Sequence, residues 1–405
     1  MDTQETSLFE DEIDEVESDL KIDIHKFSQA VIWGTDWTTE TINNQMEKNN
    51  IDLSPDFQRR DAWENKEKSR LIESLMLGLP VPPIILAENK AKRNSYIVID
   101  GKQRLLSIRQ FYAAKNRKDQ GIKFNVLKLS GLEILKKYNG FSYNDCAKND
   151  EYAQLINSLD NQPIRTIVIK NWPDESFLYT VFLRLNTGSK KLSSQELRQA
   201  LKPGPFLHFL DERTSESKPL QEMLHNNGAD KRMRDIELAL RYYAFHYFIE
   251  KYEGNLKVFL DSACDELNKN WVKNEQRYEE DFRHLESAIE FAFKVIDPEN
   301  PFSRQDKNRP RFNRSLFELF TYYFTNEKIN NLVEKNKIQF NDALNDLYQQ
   351  EEFITATSFS TKNTKNVASR FTLFANILKK LPGMEDVKVP YFILGKDNHI
   401  KIGCL

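Results

Sequence analysis

The stretch VIDGKQRLLSI, Val98 to Ile108, decides how the first half of the chain is read. Tyr96 to Asp100 is a short run of β-formers that follows Ile84 to Ala87 across a polar turn, so the two read as paired strands. Gly101 then breaks the strand, and Leu105, Ile108, Phe111 and Tyr112 recur at three- and four-residue intervals, the spacing of a helix. A strand, a glycine and a helix in succession put the Asp100 carboxylate on the rim of a sheet. Lys102, Gln103 and Arg104 fall in the first turn of the helix.

Working outward, IKFNVLKL and IRTIVIK read as two further strands, and GLEILKKYNGFSYNDCAKNDEYAQLINSL between them reads as an insertion. VIWGTDWTTETINNQM reads as a short strand or turn followed by a helix. In NKEKSRLIESLMLGLPVPP, Leu71, Ile72, Leu75 and Met76 have helical spacing, with Asn65 as the expected N-cap and Gly78 as the stop. From about Glu175 onward the periodicity is helical. The expected fold class is therefore α+β: a small mixed sheet with its helices, then a mainly α-helical region. The expected domains are an acidic flexible arm (1–22), the α/β domain (23–186) and the helical domain (187–405).

The composition narrows the functional classes. With 58 Lys+Arg against 61 Asp+Glu the formal charge is −3, which excludes a uniformly basic nucleic-acid coat but not a local basic groove. Cys146, Cys264 and Cys404 have no CxxC or Cys/His spacing, so a disulfide framework and a structural zinc site are not expected. The chain has no long apolar run and its start has no export-signal pattern, which makes the cytoplasm the expected location and a membrane partner unexpected. The six histidines form no HExxH or HxH pattern, and neither a G-x-S-x-G elbow nor a Walker A loop occurs.

Four segments hold candidate chemistry. At Asp100 to Arg104, free N–H groups at a helix start favour an anion, and Arg offers a bidentate fork and Lys a point charge. Asp100 would then hold Mg²⁺, orient a water or fix an arginine; the same residues also suit a polar turn with solvated cations. In PDFQRRDAWENKEK, Phe57 and Trp63 anchor a segment from which either Arg59 or Arg60 faces a site while the other meets solvent, or both pair with neighbouring acids. In FLRLNTGSKKLSSQELRQA, Ser193 and Glu196 fit a capping box, and Arg184 and Asn186 precede a Thr187-Gly188 turn that suits a ligand clamp or a plain interhelical link. In RMRDIELALR, Glu237 and Arg241 have ideal ion-pair spacing on a helix surface.

Taken together, DFQRRDAWENKEKSRLIESLMLGLPVPPIIL, YIVIDGKQRLLSIRQFY and VFLRLNTGSKKLSSQELRQA resemble the DUF262 family. This is the ParB/sulfiredoxin-like N-terminal domain found in GmrSD-type enzymes that restrict modified DNA and in related phage-defence proteins. The family's Asp-Gly-x-Gln-Arg motif corresponds to Asp100, Gly101, Lys102, Gln103 and Arg104, and its Phe-Gln-Arg-x-x-x-Trp phrase to Phe57, Gln58, Arg59 and Trp63. The resemblance implies a nucleoside triphosphate bound or hydrolysed with Mg²⁺, coupled to modified or phage DNA.

By the same resemblance Asp100, Gln103 and Arg104 are the catalytic set, with Asp100 also the metal ligand. Gln58, Arg59, Gly101, Lys102, Arg184 and Asn186 contact the nucleotide. A protein partner or a second copy is also compatible. The alternatives are a ParB-like DNA-binding protein or nuclease without nucleotide turnover, and a non-catalytic helical interaction module. Longer relatives carry an HNH-like nuclease domain, whereas the region after Val272 here has only His284 and His399.

Overall fold

A computed structural model of the protein describes residues 27–51, 53, 60–115, 124–148, 150–185, 193–304, 311–395 and 399–404. The chain forms two compact units that divide between Leu201 and Lys202. The sequence-based join at 186/187 lies within residues outside this description. Among the described residues no helix is long and apolar enough to cross a membrane.

The front unit is built on a four-stranded mixed sheet of β1 (Val31–Thr38), β2 (Ile84–Glu88), β3 (Tyr96–Asp100) and β4 (Pro163–Lys170), in the order β1-β4-β2-β3. β1 and β4 are antiparallel, β4 and β2 parallel, and β2 and β3 an antiparallel hairpin. Side chains alternate faces along each strand. Ile84, Leu86 and Val98 enter a core with Ile42 of α1 (Thr39–Glu47), Ile72 of α2 (Asn65–Met76) and Leu105, Ile108 and Phe111 of α3 (Lys102–Tyr112). On the opposite face Ile85, Ala87, Ile99 and Ile169 pack with Phe177 and Leu178 of α6 (Glu175–Leu185) and Leu197 of α7 (Ser194–Leu201). The sheet is thus sandwiched between two helical layers.

Three local expectations are corrected. In the IKFNVLKL segment, residues 124–130 form no strand, while 122–123 lie outside the description. Leu127 and Leu129 are buried, which produces the strand-like alternation. Their N–H groups instead bond Gln110 O and Phe141 O, at 2.9 Å each, and among the described residues no strand lies alongside. The expected insertion contributes to the core. Tyr138, Tyr143 and Cys146 of α4 (Tyr143–Ala147) and its approach, with Ile156 and Leu159 of α5 (Asp150–Asn161), join the cluster around α3. Asn65 is the first residue of α2 rather than its cap; Glu64 occupies that position and its N–H donates to Glu67 (3.0 Å). Gly78 ends that helical segment with φ 68°, a left-handed conformation that glycine adopts without strain.

The back unit is helical, as its periodicity predicts. α8 (Pro205–Glu216), α9 (Lys218–Met223), α10 (Arg234–Phe248), α11 (Leu256–Lys269) and α12 (Trp271–Val295) are followed by α13 (Arg314–Phe324), α14 (Glu327–Lys335), α15 (Lys337–Gln349), α16 (Glu351–Ser358) and α17 (Thr364–Lys379). Its core is rich in aromatics such as Phe206, Tyr243, Phe320 and Phe374. Two hairpins interrupt the helices, β5 (Ser303–Arg304) with β6 (Arg311–Phe312) and β7 (Pro390–Leu394) with β8 (Ile400–Cys404). Neither was expected; in the second, Phe392 and Ile400 are buried in the helical core and fix it there.

Candidate functional site

β3 ends at Asp100, paired with Ile85 where the β2–β3 register shifts, so the carboxylate sits at an irregular sheet edge. Gly101 follows with φ 99° and ψ 11°, and α3 starts at once. A side chain there would be strained by the backbone and crowded, since its Cβ would meet Ile84 Cγ1 at 3.2 Å and Arg104 Nη2 at 3.3 Å. The guanidinium of Arg104 therefore lies across the bare face of Gly101.

Two acceptors hold that guanidinium. Its Nη2 donates to Asp100 Oδ2 at 2.6 Å and to the carbonyl of Pro83 at 3.0 Å. Its Nε is buried and has no hydrogen-bond partner among the described residues. A buried, unpaired donor on a cation is costly, and a ligand oxygen would relieve it. Asp100 is half exposed, and Oδ1 accepts no hydrogen bond among the described residues. The free carboxylate oxygen and the unpaired arginine donor thus lie at the same helix start.

The other sequence-predicted residues fall into three groups. Lys102 is buried and its Nζ donates to Glu196 Oε1 of α7 at 2.9 Å, so it offers no exposed point charge. Glu196 Oε2 accepts from Ser193 N (2.8 Å) while Glu196 N donates to Ser193 Oγ (3.1 Å), the capping box expected from the sequence. Gln103 accepts from the backbone N–H of Trp63 at 3.2 Å and anchors the residue that closes the arginine-containing segment. Arg184 is exposed in the last turn of α6. Gln58, Arg59 and Asn186 lie outside the described residues.

Arg60 is fully buried, so of the two adjacent arginines it is not the one that meets solvent. Sequence reasoning missed Pro83, Trp63 and Glu196 as partners of the motif. It also missed Asp61, whose carboxylate takes Lys68 Nζ and Gln110 Nε2 (2.9 Å). Asp61 is seven residues from Lys68 and 49 from Gln110, separations that local periodicity does not connect.

The donor set fits some metals better than others. Among the described residues no group of three or more His, Cys, Asp or Glu side chains could hold a metal. A single carboxylate suits Mg²⁺ that takes its remaining ligands from phosphates and water, and does not suit a metal held by protein alone.

Residues 40–201 match the family model of the GmrSD restriction endonuclease N-terminal domain. The match spans α1 through α7, ends where the front unit ends, and contains Asp100, Arg104 and Glu196. The helical back unit lies outside the match. No curated protein and no solved structure gives a significant match to the chain.

Proposed function

We propose that the front unit binds a nucleoside triphosphate at the turn from Asp100 to Arg104 and couples its binding or hydrolysis to DNA-directed defence. The observation that carries this reading is the buried, unpaired Nε of Arg104 beside the open oxygen of Asp100 at the start of α3. The match over 40–201 supplies the restriction context. In this reading the front unit is a ParB/sulfiredoxin-like domain.

Arg104 then meets phosphate oxygens through Nε and Nη1, and Gly101, lacking a side chain, leaves the room that the guanidinium occupies beside the phosphate. Asp100 orients a water or holds Mg²⁺, which would supply charge neutralisation at the phosphates. Gln103 and Lys102 act through Trp63 and Glu196. Arg59 and Gln58, with Arg184 and Asn186, are further nucleotide contacts on the strength of the family phrases they belong to. The DNA partner is modified or phage DNA.

The test is a matrix of ATP, GTP and CTP with Mg²⁺, each alone and with plain or modified DNA. Binding or turnover of at least one nucleotide is expected, lost in Arg104→Ala and Asp100→Ala variants whose circular dichroism is unchanged. If no nucleotide is bound or hydrolysed under any condition, the reading fails. If DNA alone is bound and its affinity falls steeply with salt, the arginines serve a phosphate backbone instead.

A further inference from the structure

We propose that a basic rim of the front sheet, at the end opposite the Asp100 turn, holds the phosphate backbone of DNA. The inference rests on the DNA partner of the proposed function and not on its nucleotide. The strand registers define the rim. Val31 pairs with Lys170, Ala87 with Ile169 and Glu88 with Tyr96, so β1 and β3 begin, and β2 and β4 finish, at one end of the sheet. Asp100, the last residue of β3, lies at the other end.

Five cations gather there. Lys170 closes β4, the β2–β3 turn carries Lys90, Lys92 and Arg93, and Lys48 follows α1. Lys92 Nζ donates to the Asn49 carbonyl at 3.1 Å, which brings the end of α1 to the turn. Lys48 and the three turn cations are exposed, and among the described residues none of the five forms an ion pair. Glu88, beside Tyr96, is the acid among them. Glu47, next to Lys48, is taken by Arg109 at 3.1 Å, and Asp174 serves the start of α6, accepting from Phe177 N at 3.1 Å. Five cations against one acid thus stand together on a chain whose formal charge is −3.

The amines are held rather than loose. Lys90 Nζ lies 3.8 Å from the centre of the Trp172 ring and donates to Pro173 O at 3.0 Å, and Lys170 Nζ lies 4.1 Å from the centre of the Trp33 ring. The turn is fixed by its own side chains, with Asn89 Oδ1 accepting from Ala91 N (2.9 Å) and Ser95 Oγ donating to Lys92 O (3.0 Å). Lysines docked on indoles lose less freedom on meeting a phosphate than lysines on a loose loop. Like charges gathered without counterions repel one another, and a polyanion relieves that repulsion. With strands about 4.8 Å apart, four of them make a rim roughly 14 Å across, which faces about four phosphates of one DNA strand. An anionic membrane is the competing partner, because Val31, Ile32 and Trp33 are 49%, 70% and 51% exposed beside the cations. Successive residues of a strand project from opposite faces, so the three present no single apolar face for insertion.

The test is fluorescence anisotropy of a short, plain DNA duplex titrated with the full chain, without nucleotide, between about 50 and about 200 mM salt. Lys48→Ala with Arg93→Ala removes two exposed cations and should leave the thermal midpoint unchanged. Affinity at the lower salt should fall about tenfold, and the slope of log affinity on log salt should become shallower by about 2. Lys136→Ala with Lys148→Ala makes the same charge change on exposed residues elsewhere in the front unit and should alter neither quantity. A wild type that binds no duplex would overturn the inference together with the DNA reading. A wild type that binds, with affinity and slope retained in the rim variant, would overturn the rim alone. Phosphatidylserine-containing vesicles should not retain the wild type; retention that the rim variant loses would assign the surface to a membrane and overturn the inference.

Discussion

Lys102 and Glu196 meet at 2.9 Å within the front unit although 94 residues separate them, with side chains only 2% and 6% exposed. The pair ties the first residue of α3 to α7, across the sheet edge where Asp100 ends β3. Removing one partner from a buried pair leaves an uncompensated charge, at about 3–5 kcal/mol. Glu196→Gln retains the shape and can still serve the capping box, so urea unfolding of this variant isolates the ion pair. It should be destabilised by roughly that amount, while Lys102→Met combined with Glu196→Gln should recover most of it. Equal loss in the single and double variants would show that the contact is not what holds the two elements.

Arg104 and Lys102 are both cations of the same turn, and the structure separates their roles. Arg104→Lys preserves charge but discards the planar fork that reaches Asp100, Pro83 and the unpaired Nε direction. If the proposed nucleotide site is correct, its affinity should fall at least about tenfold, or 1.4 kcal/mol. Titration calorimetry with the nucleotide selected by the binding matrix measures this. Unchanged affinity would place the phosphate elsewhere.

The strand-glycine-helix unit was legible because its two signals, a run of β-formers in Tyr96–Asp100 and apolar residues at every third or fourth position in Lys102–Tyr112, are local properties of the sequence. The Ser193–Glu196 capping box was legible for the same reason. The destination of Lys102 was not, because its carboxylate lies on a distant helix and nothing near Lys102 distinguishes a buried lysine from a solvated one. The 124–130 segment misled because burial of Leu127 and Leu129 imitates a strand when the backbone bonds go to a helix end and a loop. The β7–β8 hairpin was hidden behind a long helical series in which short strands carry little weight.

Thiol chemistry should separate the three cysteines. Cys146 and Cys264 are buried and Cys404 is exposed, and none of the three is in a disulfide. Burial pushes the Cys146 thiol up to about 11, with Asp145 adding to the effect, so little thiolate forms near neutral pH. A chromogenic disulfide reagent should titrate one thiol rapidly in the native chain and three after denaturation. Cys404→Ser should abolish the rapid phase; persistence of that phase would mean that a buried thiol is reached by local opening.

Acid should weaken the back unit through His246. Burial holds its imidazole below the ordinary value, opposed by Asp281 and assisted by Arg277 and His284, and its Nδ1 is buried with no hydrogen-bond partner among the described residues. Tyr242, Tyr247 and Tyr322 complete its surroundings. The unfolded chain takes up a proton near 6.5 that the folded chain refuses, so the contribution is whole above that pH and is lost as pH falls toward the folded value. Between about pH 7.5 and about pH 5.5, His246→Phe should show a smaller drop in thermal midpoint than the wild type. Parallel drops would remove His246 from the pH response.

Glu318 lies at the centre of the back unit's buried charges. Its Oε1 accepts from Arg241 Nη1 at 2.7 Å and its Oε2 from Arg370 Nη2 at 2.6 Å, and all three side chains are at most 3% exposed. Arg241 also donates through Nε to Glu237 (2.9 Å), the helical spacing read from the sequence, although the arginine is buried rather than on the surface. Burial lowers the affinity of Arg370 for its proton and Glu318 opposes that shift. Glu318→Gln keeps the volume but leaves two interior guanidinium groups sharing a neutral amide, a loss of roughly 3–5 kcal/mol in the transition of this unit. Arg370→Met alone should also destabilise, since Nη1 donates to the Thr361 carbonyl at 2.8 Å. Once Glu318 is neutral, however, Arg370 is a buried charge without its counterion, so the second substitution should cost less than it does in the wild type. A double-mutant cycle on guanidinium unfolding should return a coupling of about 0.5–3 kcal/mol, and strictly additive losses would show that Glu318 does not balance Arg370.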